Sequence, residues 1–156
     1  HKPHLDIVKN DEYLYHEDYG HQGLLEEAYA RSIQGLLDAG KKVILVYPVP
    51  EVGWNVQDYI ARYFLKDPGS VFSQSTASTS YEVFAERNKR TISALDSVGM
   101  HENLIRVFPH ESLCNSDIEG RCVAQKDGTL YYVDRDHVTN AGARLFVHGL
   151  VDKLPR

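Results

Sequence analysis

Hydrophobic positions recur along this chain with two periods. From Gly23 to Ala39, Leu25, Ala28, Tyr29, Ile33, Leu36 and Leu37 fall on one stripe, while Glu26, Glu27, Arg31 and Gln34 fall elsewhere. That spacing predicts an amphipathic helix, ended by Gly40 as a C-cap. Lys42 to Tyr47 then runs almost unbroken in apolar and β-branched residues, as a buried parallel strand covered on both faces does. Pro48-Val49-Pro50 closes it, because proline cannot continue a central ladder. Trp54 to Leu65 predicts a second helix, with Val56, Tyr59, Ile60, Tyr63 and Phe64 on one side and Asp67-Pro68-Gly69 as its break. Ser70 to Ser80 is rich in serine and threonine and reads as an exposed loop. Tyr81 to Val98 predicts a long helix with Phe84, Ile92, Leu95 and Val98 as core residues and Gly99 as its stop. Leu104 to Phe108 predicts a short strand ended by Pro109. Cys122 to Gln125 and Thr129 to Val133 flank Lys126-Asp127-Gly128, and Asp-Gly between short β-prone runs is a hairpin signal. The last helix is expected from Asn140 to Lys153, with Thr139 as N-cap and Ala143, Phe146, Val147, Leu150 and Val151 buried. Helices alternating with short apolar strands, without repeat or linker, predict one α/β domain spanning residues 1–156.

Composition narrows the options. The chain has 156 residues, 42% of them hydrophobic and 25% charged, ordinary values for a single globular core. A net charge of −5 provides no basic footprint, so nucleic acid is not expected as a partner. The longest apolar run, Val43 to Val49, is far too short to span a bilayer. The chain begins at His1 rather than Met, which reads as a processed, truncated or cloned segment, so a missing leader says nothing about compartment. Residues 1–20 are polar and rich in histidine and tyrosine; His1, His4, His16 and His21 lack tight ligand spacing and read as an irregular segment rather than a metal site. Dinucleotide, phosphate-loop and His-Glu-x-x-His motifs are missing, so neither cofactor nor metal is expected.

Cys114 and Cys122 lie eight residues apart around Gly120. A disulfide could close that loop and would favour an oxidising compartment. A redox or metal pair would want Cys-x-x-Cys or flanking histidines, and two unrelated thiols is the remaining reading; the disulfide is the expectation.

The candidate chemistry lies in Tyr131-Tyr132-Val133-Asp134-Arg135-Asp136-His137-Val138-Thr139-Asn140-Ala141-Gly142-Ala143. Asp134 stands three residues before His137, after an apolar run and before a helix. One short turn can then present a carboxylate beside an imidazole, fixing its tautomer and stabilising the imidazolium. Alone, Asp-x-x-His is a common turn pattern; its place near the end of an α/β chain, where strands give way to loops, is where sites gather. Asp136 reads as a turn or cap residue, and Tyr131, Tyr132 and Val133 as sheet packing.

This block resembles the last motif of the SGNH/GDSL hydrolase superfamily, and most closely the SGNH domains fused to acyltransferase-3 membrane proteins that O-acetylate bacterial surface polysaccharides. Gly40-Lys41-Lys42-Val43 leading to Pro48-Val49-Pro50-Glu51 resembles that family's middle block, and its domains also carry paired cysteines upstream of the Asp-His motif. The resemblance implies a three-layer α/β/α fold with a mainly parallel, flavodoxin-like sheet. It further implies that His137 is the general base and Asp134 its orienting acid in a Ser-His-Asp mechanism.

The family's nucleophile belongs to an N-terminal Gly-Asp-Ser block, and the sequence contains no such triplet. Gly69-Ser70 and Asn115-Ser116 read as turn material. The expectation is therefore an N-terminally incomplete SGNH-like domain lacking its first strand, with the serine upstream and this chain inactive by itself. The reaction expected by resemblance is transfer of an O-acyl group, acetyl above all, to or from a cell-surface glycan. The partners would be that acylated or acceptor glycan and an acyltransferase-3 membrane domain, on the periplasmic or extracytoplasmic face of a bacterial inner membrane. A secreted SGNH carbohydrate esterase and a non-catalytic α/β binding module are the competing readings.

Overall fold

The computed structural model describes residues 4–6, 22–66, 76–148 and 150. Its elements in chain order are β1 (His4–Asp6), α1 (Gln22–Asp38), β2 (Val43–Val46), α2 (Val56–Lys66), β3 (Thr76–Ser80), α3 (Tyr81–Asp96), β4 (Leu104–Val107), α4 (Pro109–Leu113), β5 (Arg121–Lys126), β6 (Thr129–Leu130) and α5 (Asn140–Val147). The class is α/β, as the alternation of elements implied. Strands β2 and β4 pair in parallel, as do β1 and β3; β5 and β6 extend the second sheet antiparallel, in the order β1-β3-β5-β6.

One apolar cluster lies over the β2–β4 pair. Ile33 and Leu37 of α1, Leu45 and Tyr47, and Leu95 and Val98 are buried together. The Tyr47 hydroxyl donates to Asp96 Oδ1 at 2.6 Å and accepts from Arg106 Nε at 3.1 Å, tying β2 to α3 and β4. Burial and the carboxylate of Asp96 raise the pKa of this phenol. The opposite face of β2 differs from expectation. Ile44 and Val46 are 41% and 49% exposed, so the strand is covered on one face only. Tyr29 and Leu36, read as core from their spacing, are likewise exposed, and the buried stripe of α1 narrows to Ile33 and Leu37.

The second cluster joins Val52 and Val56 to Leu113, Cys114, Cys122, Ala124 and Tyr132. Asn55 Oδ1 accepts from the N–H groups of Gln57 and Asp58, so α2 starts at Val56, two residues later than Trp54. Cys114 and Cys122 form the expected disulfide, both buried in this cluster.

The stretch read as an exposed serine-threonine loop is corrected over its last five residues. Thr76–Ser80 is β3, paired on both edges, with Ala77 and Ser78 fully buried. Small side chains suit a strand covered on both sides, and the guanidinium of Arg121 reaches back to Ser78 Oγ at 3.0 Å and its carbonyl at 2.9 Å. The polar N-terminal segment also contains a strand, His4–Asp6, recruited by backbone pairing with β3 rather than by apolar content. Pro109 not only ends β4 but opens the short helix α4. The final helix closes at Val147, short of the expected Lys153. The core roles assigned to Leu25, Ile60, Tyr63, Phe64 and Val151, the break at Asp67-Pro68-Gly69, loop residues 70–75 and His1, His16 and His21 lie outside the described residues. No described helix is long and apolar enough to cross a membrane.

Candidate functional site

The turn that holds Asp134 and His137 is built outward from the β5–β6 hairpin. Asp127 and Gly128 both have positive φ, 47° and 81°, which lets the chain reverse in two residues. Beyond β6 the Tyr131 N–H still reaches the Ala124 carbonyl. Tyr132 then pairs with Val138 as an isolated bridge, and the Val133 N–H donates to the His137 carbonyl at 2.8 Å. Residues 133–137 are thereby pinched into a closed loop. Inside it, Asp134 Oδ1 accepts from the N–H groups of Asp136, at 3.1 Å, and His137, at 2.8 Å. This Asx-type turn explains the three-residue spacing: the carboxylate that faces the imidazole also shapes the backbone carrying it.

Helix α5 supports the turn from below. The Thr139 hydroxyl accepts from the Gly142 N–H and donates to the Leu130 carbonyl, and the Thr139 N–H donates to the Tyr131 carbonyl. Gly142 is buried against that same carbonyl, so closely that an added Cβ would overlap it. The Thr-x-x-Gly spacing therefore serves both a cap and a close backbone approach, which composition alone would not reveal.

His137 Nδ1 lies 2.8 Å from Asp134 Oδ2 and 3.1 Å from Oδ1. Asp136, read as a bystander, places Oδ1 3.2 Å from the same nitrogen. His137 Nε2 has no hydrogen-bond partner among the described residues, and the side chain is 76% exposed. The backbone N–H groups of His137 and Asp136, then the imidazole itself, hold the Asp134 carboxyl far below the usual carboxylate range. The hydrogen bond from Asp134, its charge and that of Asp136 raise the His137 pKa above 6.5. The resulting arrangement is an imidazole gripped at Nδ1 and open at Nε2, able to accept a proton from a group brought to it and to hold the charge.

Asp134, Asp136 and His137 also place one donor atom each within 4.8 Å of one another. A cation held between these three at Nδ1 would displace the hydrogen bond that this nitrogen already makes to Asp134.

Three anchors around the turn were not legible as such in the sequence. The Tyr132 hydroxyl, buried, donates to the Pro50 carbonyl at 2.5 Å. The Val52 N–H donates to the Arg135 carbonyl at 2.8 Å. Between them, Glu51 Oε2 receives Arg87 from α3 at 2.6 Å. The Pro48-Val49-Pro50-Glu51 segment thus leaves β2 and lies directly against the Asp134–His137 turn. Ser116 sits in the disulfide loop, away from these contacts, and Ser70 lies outside the described residues.

No curated relative and no solved structure matches the chain. The family model described as an SGNH domain fused to AT3 domains matches residues 4–151, a span that takes in β2, the Pro-x-Pro-Glu segment, the disulfide loop and the Asp134–His137 turn. With nearly its whole length matched, the chain belongs to the SGNH domain family of AT3-fused proteins.

Proposed function

We propose that this chain is the C-terminal part of a single SGNH domain that transfers an O-acyl group, acetyl above all, to or from a cell-surface glycan, with Asp134 and His137 as acid and base. Family membership ties it to hydrolase and acyltransferase chemistry and to an acyltransferase-3 membrane partner. The observation that carries the reading is the grip of Asp134 on His137 Nδ1 with Nε2 open.

In the reaction, His137 Nε2 takes the proton of a serine hydroxyl as its oxygen attacks the acyl carbonyl. The tetrahedral intermediate collapses to an acyl-serine, and the departing oxygen takes the proton back from Nε2. An incoming hydroxyl, of a glycan or of water, then gives its proton to Nε2 and attacks the acyl-serine; the bond between acyl carbon and serine oxygen breaks, and that oxygen takes the proton back from Nε2. Asp134 stays ionised throughout and stabilises the imidazolium.

The serine is assigned to a segment upstream of this chain. The second edge of β2 supports this: among the described residues β2 pairs with β4 alone, which leaves its other backbone edge open to a further strand. A strand laid parallel to β2 would end beside Pro48–Pro50, the segment that abuts the His137 turn. The buried Cys114–Cys122 disulfide supports an extracytoplasmic setting.

Full-length protein assayed with an activated acetyl ester, beside His137→Ala, tests the reading. Loss of turnover in the variant is the expected result; equal rates in both would remove His137 from the mechanism. Intact mass under native and denaturing conditions tests the serine assignment. A single species of this chain, with no second fragment and full esterase activity, would overturn it.

A further inference from the structure

We infer that Glu51 and Arg87 form a positioning pair that holds the Asp134–His137 turn in place, acting through the backbone on either side of Glu51. This inference rests on the reading of His137 as the base.

Two independent hydrogen bonds bring the turn to this segment. Tyr132, two residues before Asp134, donates to the carbonyl of Pro50 at 2.5 Å. Arg135, inside the turn, accepts from the N–H of Val52 at 2.8 Å. Glu51 lies between the two anchoring residues and makes no direct hydrogen bond to His137 or Asp134. Its carboxylate is bound instead by Arg87 at 2.6 Å, from a helix more than thirty residues away in sequence. The Arg87 side chain is 9% exposed and that of Glu51 35%, so this is a partly buried pair rather than a flexible surface one. The negative charge of Glu51, behind burial as the larger cause, raises the pKa of the Tyr132 phenol, consistent with carboxylate and phenol sharing one pocket.

The segment around Glu51 is held by the burial of Pro50 and Val52 rather than by a backbone ladder. Proline lacks an N–H, so Pro48 and Pro50 cannot donate backbone hydrogen bonds. A side-chain tether at Glu51 fixes the peptide groups before and after it, and those are the two that the turn uses. Misplacement of a base by about 1 Å can reduce turnover by about a hundredfold, so a tether at this distance matters without touching substrate.

The test uses full-length protein carrying Glu51→Gln, Arg87→Gln or Tyr132→Phe, each checked for native folding by circular dichroism. Two readouts are taken. The first is kcat and KM with an activated acetyl ester, where kcat is expected to fall about 10- to 100-fold with KM little changed. The second is the pH dependence of His137 modification by diethyl pyrocarbonate, mapped by peptide mass spectrometry. Its midpoint is expected to move to lower pH as the grip of Asp134 loosens. Folded Glu51→Gln protein with an unchanged His137 midpoint and unchanged kcat would overturn the inference; should Arg87→Gln fail to fold, the other two variants decide it. A His137→Ala protein that remains active would sink the catalytic reading alone, and the modification midpoint would still report on positioning.

Discussion

The hydroxyl of Tyr132 and the carbonyl of Pro50 meet at 2.5 Å across 82 residues of sequence. This bond fastens the strand end that leads into the Asp134–His137 turn to the loop that leaves β2. Both groups are buried, so Tyr132→Phe leaves the carbonyl without its donor. The expected loss is about 1–2 kcal/mol of stability, read from the shift in urea midpoint at unchanged slope.

The two acids near His137 Nδ1 are not equivalent. Asp134 holds the ring with two contacts and shapes the turn through two backbone N–H groups, whereas Asp136 makes one longer approach. In full-length protein, Asp134→Asn is expected to reduce kcat by about 1,000- to 10,000-fold, and His137→Ala at least as much. Asp136→Asn is expected to stay within about fivefold of the parent. Steady-state kinetics on the three variants checks the ranking; a larger loss at Asp136 would exchange the roles of the two acids.

The turn has its own pH signature. Asp134 is depressed below its ordinary value of 3.8, so its contribution is present above that pH and is lost as pH falls through the folded value. His137 is raised above 6.5, so its contribution is complete below 6.5 and is lost as pH rises through the folded value. Both groups are charged and paired between about pH 3.8 and 6.5, where the turn is most stable. Melting temperature against pH for the parent and His137→Ala should diverge most in that window and converge on the alkaline side. Parallel curves would show that the pair contributes nothing.

Gly142 is a helix residue that alanine ought to improve by about 1 kcal/mol on propensity alone. Here the added methyl would strike the Tyr131 carbonyl, which already accepts from the Thr139 N–H, so relieving the overlap would strain that bond. Gly142→Ala is expected to destabilise by about 1–3 kcal/mol, with kcat falling as α5 is pushed away from the turn. Thermal unfolding and kinetics on the same preparation check it.

Reducing the Cys114–Cys122 bond opens a short loop inside the second core cluster. The chain-entropy cost is about 2–3 kcal/mol. Urea unfolding with and without reductant should show that difference, and a Cys114→Ala/Cys122→Ala variant should match the reduced protein.

What could be read from sequence follows a physical divide. Strands β2 and β4, helix α3 and the Asp127-Gly128 hairpin announce themselves locally, through apolar runs, periodicity and turn chemistry. So does the Asp134–His137 turn, because its bonds close within four residues. β3 was hidden because Thr76–Ser80 is small and polar: it is buried by neighbours on both edges, a tertiary cause that composition does not record. Tyr29 and Leu36 have helical spacing but lie beyond the arc that the sheet covers. The anchors Pro50, Glu51 and Arg87 reach the turn from afar in sequence, so their role emerges only once the chain is folded.

The disulfide loop has one further consequence. Between Cys114 and Cys122 the chain is largely exposed, turning at Asn115 with φ of 55° and closed by the Asn115 N–H on the Arg121 carbonyl. Exposed loops of this kind are favoured sites for proteases. A single cut there would leave α4 and everything before it covalently joined to β5, β6 and the His137 turn by one sulfur bridge. Under denaturing conditions the clipped molecule would gain only the mass of one water until reduced, and would then separate into two pieces, one carrying Glu51 and Arg87 and the other the Asp134–His137 turn.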